Sequence, residues 1–251
     1  MARGALADNL TALAALSAKG VVSGAVARER TLPVLSAFAD LLPHGAIQRG
    51  SVIGCHGAAG VSLALALAAG PSRDGAWVAV AGLPHVGVAA AVELGVAPER
   101  LVLVAEPAAT AQSMGQRFDD ARWAEVLAAM IDGFDVLVLG PVTERVRPGT
   151  ARRLMARLQA RGAVAIVVAR PGTGQPGAGP FGADLTLHAD GTDWAGLGEG
   201  HGVARGRRSV VQVAGRRVPR PRRTHLWLPG AEGSVATVPQ QAAVVPLRPT
   251  G

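Results

Sequence analysis

Apolar residues recur along this chain in two different spacings, and the switch between them predicts its elements. Leu6, Leu10, Leu13 and Leu16 fall at helical spacing, which predicts a helix over residues 5–18 stopped by Gly20. A second helical piece over 34–42 ends before Pro43. From residue 51 the pattern becomes strand–helix alternation. Strands are expected at 51–54, 76–81, 101–104, 135–139 and 163–169, and helices at 61–69, 86–94, 121–131 and 150–160. Gly95, Gly133 and Gly162 close three of those helices. The strands are continuous apolar runs and the helices between them are amphipathic. That combination predicts a parallel sheet covered on both faces, and right-handed crossovers make it doubly wound.

After Arg170 the pattern changes. Residues 171–182 are rich in Gly and Pro and read as a loop. Three short strands follow at 184–188, 209–213 and 225–228 with no helix between them, which predicts an antiparallel extension on one edge of the sheet. The expected organisation is a helical appendage over 1–42, packed on the core or offered to a partner, a core over 43–230, and a flexible tail over 231–251. The fold class is α/β.

Apolar residues make up 49% of the chain, enough for a buried core. The longest apolar runs are too short to span a bilayer, and no signal peptide is apparent. Cys55 is the only cysteine, so no internal disulfide forms. The expectation is a cytoplasmic protein with no membrane partner. Net charge is +7, but eight arginines lie together without an intervening acid: Arg205, Arg207, Arg208, Arg216, Arg217, Arg220, Arg222 and Arg223. Without them the chain is almost neutral, so the charge is a local patch.

The first core strand runs into Gly54-Cys55-His56-Gly57-Ala58-Ala59-Gly60-Val61-Ser62 and then an apolar helix. Strand, glycine turn and helix N-terminus make the geometry of a phosphate cradle. Hydrolysis of a nucleotide requires more: a lysine and a hydroxyl after the second glycine. Counting four residues on from Gly54 puts Ala59, Gly60 and Val61 at the three positions. With Gly60 as the second glycine, Ser62 keeps the hydroxyl but Val61 replaces the lysine. Losing one such electrostatic contact costs on the order of 10²–10³ in rate. A metal-anchoring acid is expected where strand 135–139 ends, and Gly140 stands there. The water-activating carboxylate has no candidate in Gly82-Leu83-Pro84-His85. Three losses point to a site without hydrolytic activity.

These segments resemble the RecA recombinase family. Leu42-Pro43-His44-Gly45-Ala46-Ile47 is similar to its approach to the nucleotide turn, Leu94-Gly95-Val96 with Arg100–Val104 to its next helix-to-strand junction, and Phe134–Leu139 to its metal-anchoring strand. Ala183–Leu187, Ser209–Val213 and His225–Gly230 resemble its late edge strands. More narrowly, Leu63–Pro71, Gly82-Leu83-Pro84 and Leu94-Gly95-Val96 resemble the RecA-like accessory proteins of actinobacterial translesion mutagenesis, the ImuA-prime type. The resemblance covers residues 42–230. It implies a RecA-like core and a role in damage-induced mutagenesis beside an inactive Y-family polymerase homologue and an error-prone replicative polymerase. In that family the C-terminal region is thought to contact the polymerase homologue. Val61, Gly140 and the short first loop over 141–149 depart from true recombinases.

The arginine segment suits DNA phosphates or an acidic protein surface, or it is a solvated edge that blocks strand pairing. Only Trp194 and Trp227 lie near it, so base reading is not expected. The loop over 172–182 holds no positive charge and reads as a linker. Cys55 and His56 are adjacent and have no second ligand pair, so no metal is expected. Cys55, His56, His85, His188 and His201 are read as structural. The chain is thus expected to be a non-enzymatic adaptor without cofactor. An ATPase using ATP and Mg²⁺ through Ser62, and a regulator of RecA filaments, are the alternatives.

Overall fold

The computed structural model describes residues 30–104, 120–141, 145–170, 178–198, 201–216 and 218–239. The helix expected over 5–18, most of the tail, and Arg217 lie outside them. The described elements are β1 (Thr31–Pro33), α1 (Ser36–Ala39), β2 (Ala46–Gln48), β3 (Val52–His56), α2 (Gly60–Arg73), β4 (Val78–Ala81), α3 (Val88–Glu93), β5 (Leu101–Val104), α4 (Asp120–Gly133), β6 (Val136–Leu139), α5 (Pro148–Arg161), β7 (Val164–Val168), β8 (Leu185–Leu197), β9 (Gly202–Gly215), β10 (Val218–Trp227) and β11 (Ala236–Thr237).

Nine strands form one sheet in the order β11-β10-β9-β8-β3-β7-β6-β4-β5. From β8 to β5 the pairs are parallel, and β8, β9, β10 and β11 pair antiparallel. The expected α/β class, with a mainly parallel sheet and an antiparallel edge, is what the chain adopts. The core strands can be continuous apolar runs because both faces are buried. On one face α2 and α3 pack through Leu63, Leu67, Ala91 and Leu94. On the other, α4 and α5 pack through Trp123, Leu127, Leu154 and Leu158.

The N-terminal part of the described chain differs from the reading by spacing. Of the helix expected over 34–42 only residues 36–39 are α-helical, and β1 pairs antiparallel with β2 in a separate two-stranded sheet. This segment packs on the core: Leu32, Phe38, Leu41 and Leu42 belong to the same buried cluster as α2. Gly70 is what lets it approach, since a Cβ there would lie 2.6 Å from Val34 Cα and 2.7 Å from the Pro33 carbonyl oxygen. α2 also continues past residue 69, with Pro71 in its last turn, where the missing N–H forfeits only one helical bond.

The late strands are longer than their apolar runs. β8 and β9 contain 13 and 14 residues and extend past the parallel core as a hairpin. Register shifts between Asp190 and Asp193 and between Ala195 and Leu197 break the alternation, which hid the extension from a pattern reading. Among the described residues, no helix is long and apolar enough to cross a membrane.

Candidate functional site

The carboxyl ends of β3, β4, β6 and β7 lie side by side, and the glycine turn sits above β3. In doubly wound sheets ligands bind at such an edge. Here the turn is closed by the chain itself. β8 passes beside it, and the Ala59 N–H donates to the Ala189 carbonyl at 3.1 Å, while the Gly60 N–H donates to the Gly57 carbonyl at 3.0 Å. Two amides that a phosphate would use are therefore satisfied by carbonyls. Gly57 has φ 95°, and a Cβ there would lie within 2.9 Å of the Ala189 carbonyl carbon. Gly54 lies in the interior of β3, Gly60 begins α2, and Val61 beside it is 36% exposed.

Ser62 is engaged as well. Arg207, on β9, donates through Nη2 to Ser62 Oγ at 2.8 Å and through Nε to the Leu228 carbonyl at 3.1 Å. Its guanidinium lies 5.3 Å from the Trp194 ring centroid, within cation–π range. Burial lowers its pKa from the ordinary arginine value. A cation does reach the turn, but from β9, 145 residues away in sequence.

At Gly140, where the sequence reading expects a metal-anchoring acid, the obstacle to one is steric as well as chemical. The Gly140 N–H donates to the Ala81 carbonyl at 2.8 Å. A Cβ at 140 would fall on the Gly82 carbonyl oxygen and 3.0 Å from Leu83 Cδ2. The turn after β4 thus occupies the space where an aspartate side chain would begin. His85 on that turn is exposed.

The sequence reads His188 as structural, and the structure places it against His56. Their Nδ1 atoms are 2.8 Å apart, their ring centroids 4.4 Å, and His188 Nε2 lies 2.6 Å from Asp190 Oδ2. The three groups form a hydrogen-bonded chain across β3 and β8, flanking the Ala189 carbonyl that closes the turn. Burial lowers the His56 pKa, His188 lowers it further, and Asp190 opposes both. Cys55 points into the core, and burial pushes its thiol pKa far above the usual range. Among the described residues, no group of three or more His, Cys, Asp or Glu side chains is placed to hold a metal.

The arginines do not form one patch. Arg205 and Arg207 share the face of β9 that meets α2, whereas Arg208 alternates to the opposite face with Arg223 of β10. Arg222 donates to the Asp40 carbonyl at 2.9 Å, closing the end of α1. Arg205, Arg208, Arg216, Arg220 and Arg223 are exposed and make no side-chain hydrogen bond or ion pair among the described residues.

Beside Ser62 and Arg207 opens a cleft of about 590 Å³, bordered by α3, the β8–β9 hairpin and residues 229–233. It was not foreseen, because its walls come from four separated segments. A smaller cavity of about 290 Å³ lies at the other end of the sheet, near His44, Arg49 and Asp184. There Arg49 pairs with Asp135 at 3.2 Å, and Asp184 accepts from the Val52 N–H at 3.0 Å, which are structural pins between strand starts.

The chain is 33% identical over 130 residues to the uncharacterized protein Rv3395c of Mycobacterium tuberculosis (strain ATCC 25618 / H37Rv). The match covers 51% of this chain and 57% of that protein, so the chain spans little more than half the length of this relative. A family model described as the MT3502 N-terminal domain matches residues 40–174, which run from the end of α1 through the glycine turn to just past β7. With more than half of its residues inside that match, the chain belongs to the family of the MT3502 N-terminal domain.

Proposed function

We propose that this chain is a RecA-like protein that has given up nucleotide hydrolysis and works as a non-catalytic adaptor in SOS-induced translesion synthesis. Its partners in this reading are an inactive Y-family polymerase homologue and, through it, an error-prone replicative polymerase. No cofactor is used. One observation carries the non-catalytic part: the Ala59 amide is bonded to the Ala189 carbonyl and the Ser62 hydroxyl to Arg207, so two of the groups the turn would offer a triphosphate are already engaged. The filled space at Gly140 supports the same conclusion on the metal side. A lone lost lysine is compatible with altered chemistry. A cradle with two amides and its hydroxyl already bonded, and no room for the acid, argues against it.

The exposed, unpartnered arginines support a contact with DNA phosphates as a secondary property. The test is direct. Thermal unfolding is followed with and without millimolar ATP and Mg²⁺, alongside a phosphate-release assay. The adaptor reading expects no shift and no turnover, together with measurable binding to the purified polymerase homologue. Turnover that disappears in Ser62→Ala would establish the ATPase instead.

A further inference from the structure

We infer that the cleft beside Arg207 is the docking site for an amphipathic segment of a protein partner, with the β8–β9 hairpin as its clamp. This rests on the adaptor reading and says where the partner binds. Three observations lead to it.

The first is apolar exposure. Trp194 is 41% exposed, and Leu197 and Val203 near the hairpin tip are 53% and 70% exposed. All three lie on the hairpin, where Trp194 borders the cleft and Leu197 and Val203 lie farther out toward the tip. Large apolar side chains grouped on a protruding element mark an interaction surface.

The second is side-chain type. Trp194 is held against Arg207, whose guanidinium is fixed by Ser62 and the Leu228 carbonyl. Tryptophan and arginine dominate interface hot spots, and a pre-ordered pair loses little entropy when a partner arrives.

The third is charge arrangement, which selects the occupant. The hairpin contributes Arg205, exposed and unpartnered, and Arg207. The facing walls contribute Glu93 from α3 and Glu232 from the turn after β10, whose Gly233 lies against the Glu93 side chain. A nucleic-acid strand or a triphosphate entering here would carry negative charge past two carboxylates. A protein segment avoids that conflict by carrying acidic residues on the flank facing Arg205 and basic residues on the flank facing Glu93 and Glu232. Its apolar edge would then lie on Trp194 and Ala90. This is the helix-in-groove mode with complementary flanks.

The experiment measures binding of the full chain to the purified polymerase homologue by calorimetry. The variants are Trp194→Ala, Arg205→Glu and Glu93→Arg, all at exposed positions. Arg223→Glu on the opposite face and a chain ending at residue 239 serve as controls. Docking in the cleft requires each of the three variants to weaken binding by at least about tenfold, a step of 1.4 kcal/mol, with melting temperatures unchanged. Both controls bind as the parent does. If the three variants bind normally, or if only the shortened chain loses binding, the cleft is not the site and the adaptor reading survives. If the parent itself does not bind, both readings fall. If Trp194→Ala weakens a single-stranded oligonucleotide and not the polymerase homologue, the cleft belongs to nucleic acid and the inference is overturned.

Discussion

His56 and His188 meet through their Nδ1 atoms at 2.8 Å, and Asp190 holds the far side of His188. Two Nδ1 atoms at this distance need one proton between them, so the pair is complete with His56 neutral or sharing its proton. The His56 pKa is lowered in the folded protein by burial first and by His188 second. The unfolded chain therefore takes up a proton at higher pH than the folded one. Stability should be level above the unfolded-state value near 6.5 and should decline as pH falls below it. Urea unfolding from pH 8 to pH 5 measures this. His56→Gln should flatten the decline, and an unchanged slope in that variant would remove His56 as its source.

Gly140→Asp should not restore a metal site. The new Cβ meets the Gly82 carbonyl, so the turn after β4 must move. Overpacking of this kind costs about 1–3 kcal/mol. Urea midpoints should fall, and titration with Mg²⁺ and ATP should give no heat. A stable variant that binds Mg²⁺ would contradict the packing described here.

Arg207→Ala removes hydrogen bonds to Ser62 and Leu228 together with the contact on Trp194. The loss should be about 1–2 kcal/mol, because the remaining polar groups regain water in the open cleft. Tryptophan emission should shift to the red as the ring becomes wetter. Arg207→Lys should recover only part of the stability, since a lysine cannot fork between two acceptors.

Arg222 and Arg223 are neighbours in sequence with different duties. Arg222→Ala should lower stability by about 0.5–1.5 kcal/mol, because the Asp40 carbonyl loses its donor. Arg223→Ala should leave stability alone. If DNA contacts run through the exposed arginines, that variant should flatten the dependence of log affinity on log salt by about 0.9 per phosphate lost. Equal effects of the two variants on both readouts would mean the two side chains are not divided as the structure places them.

Phe38 tests whether the segment before residue 43 is an appendage. It is fully buried with α2 in the main core. Phe38→Ala should cost about 3–5 kcal/mol in a single cooperative transition. A separate early transition would instead identify a detachable unit.

The order of strands and helices could be read from the sequence, because the 3.6 and 2.0 periods are local and the core strands are apolar on both faces. Val61 and Gly140 could also be read, since they are plain residue identities. β1, β2 and the outer halves of β8 and β9 could not. They are short, polar or interrupted by bulges, so no local pattern marks them.

What the chain decides locally is thus its alternation of elements, its antiparallel edge and the identities of Val61 and Gly140. What only the assembled sheet decides is where those residues meet. Ala189 over the glycine turn, His188 on His56, Arg207 on Ser62 and Gly82 against Gly140 each join segments far apart in sequence, and three of the four pairs span more than a hundred residues. Such contacts depend on strand order and register, which are fixed by the burial of the whole core and by no property of either segment alone.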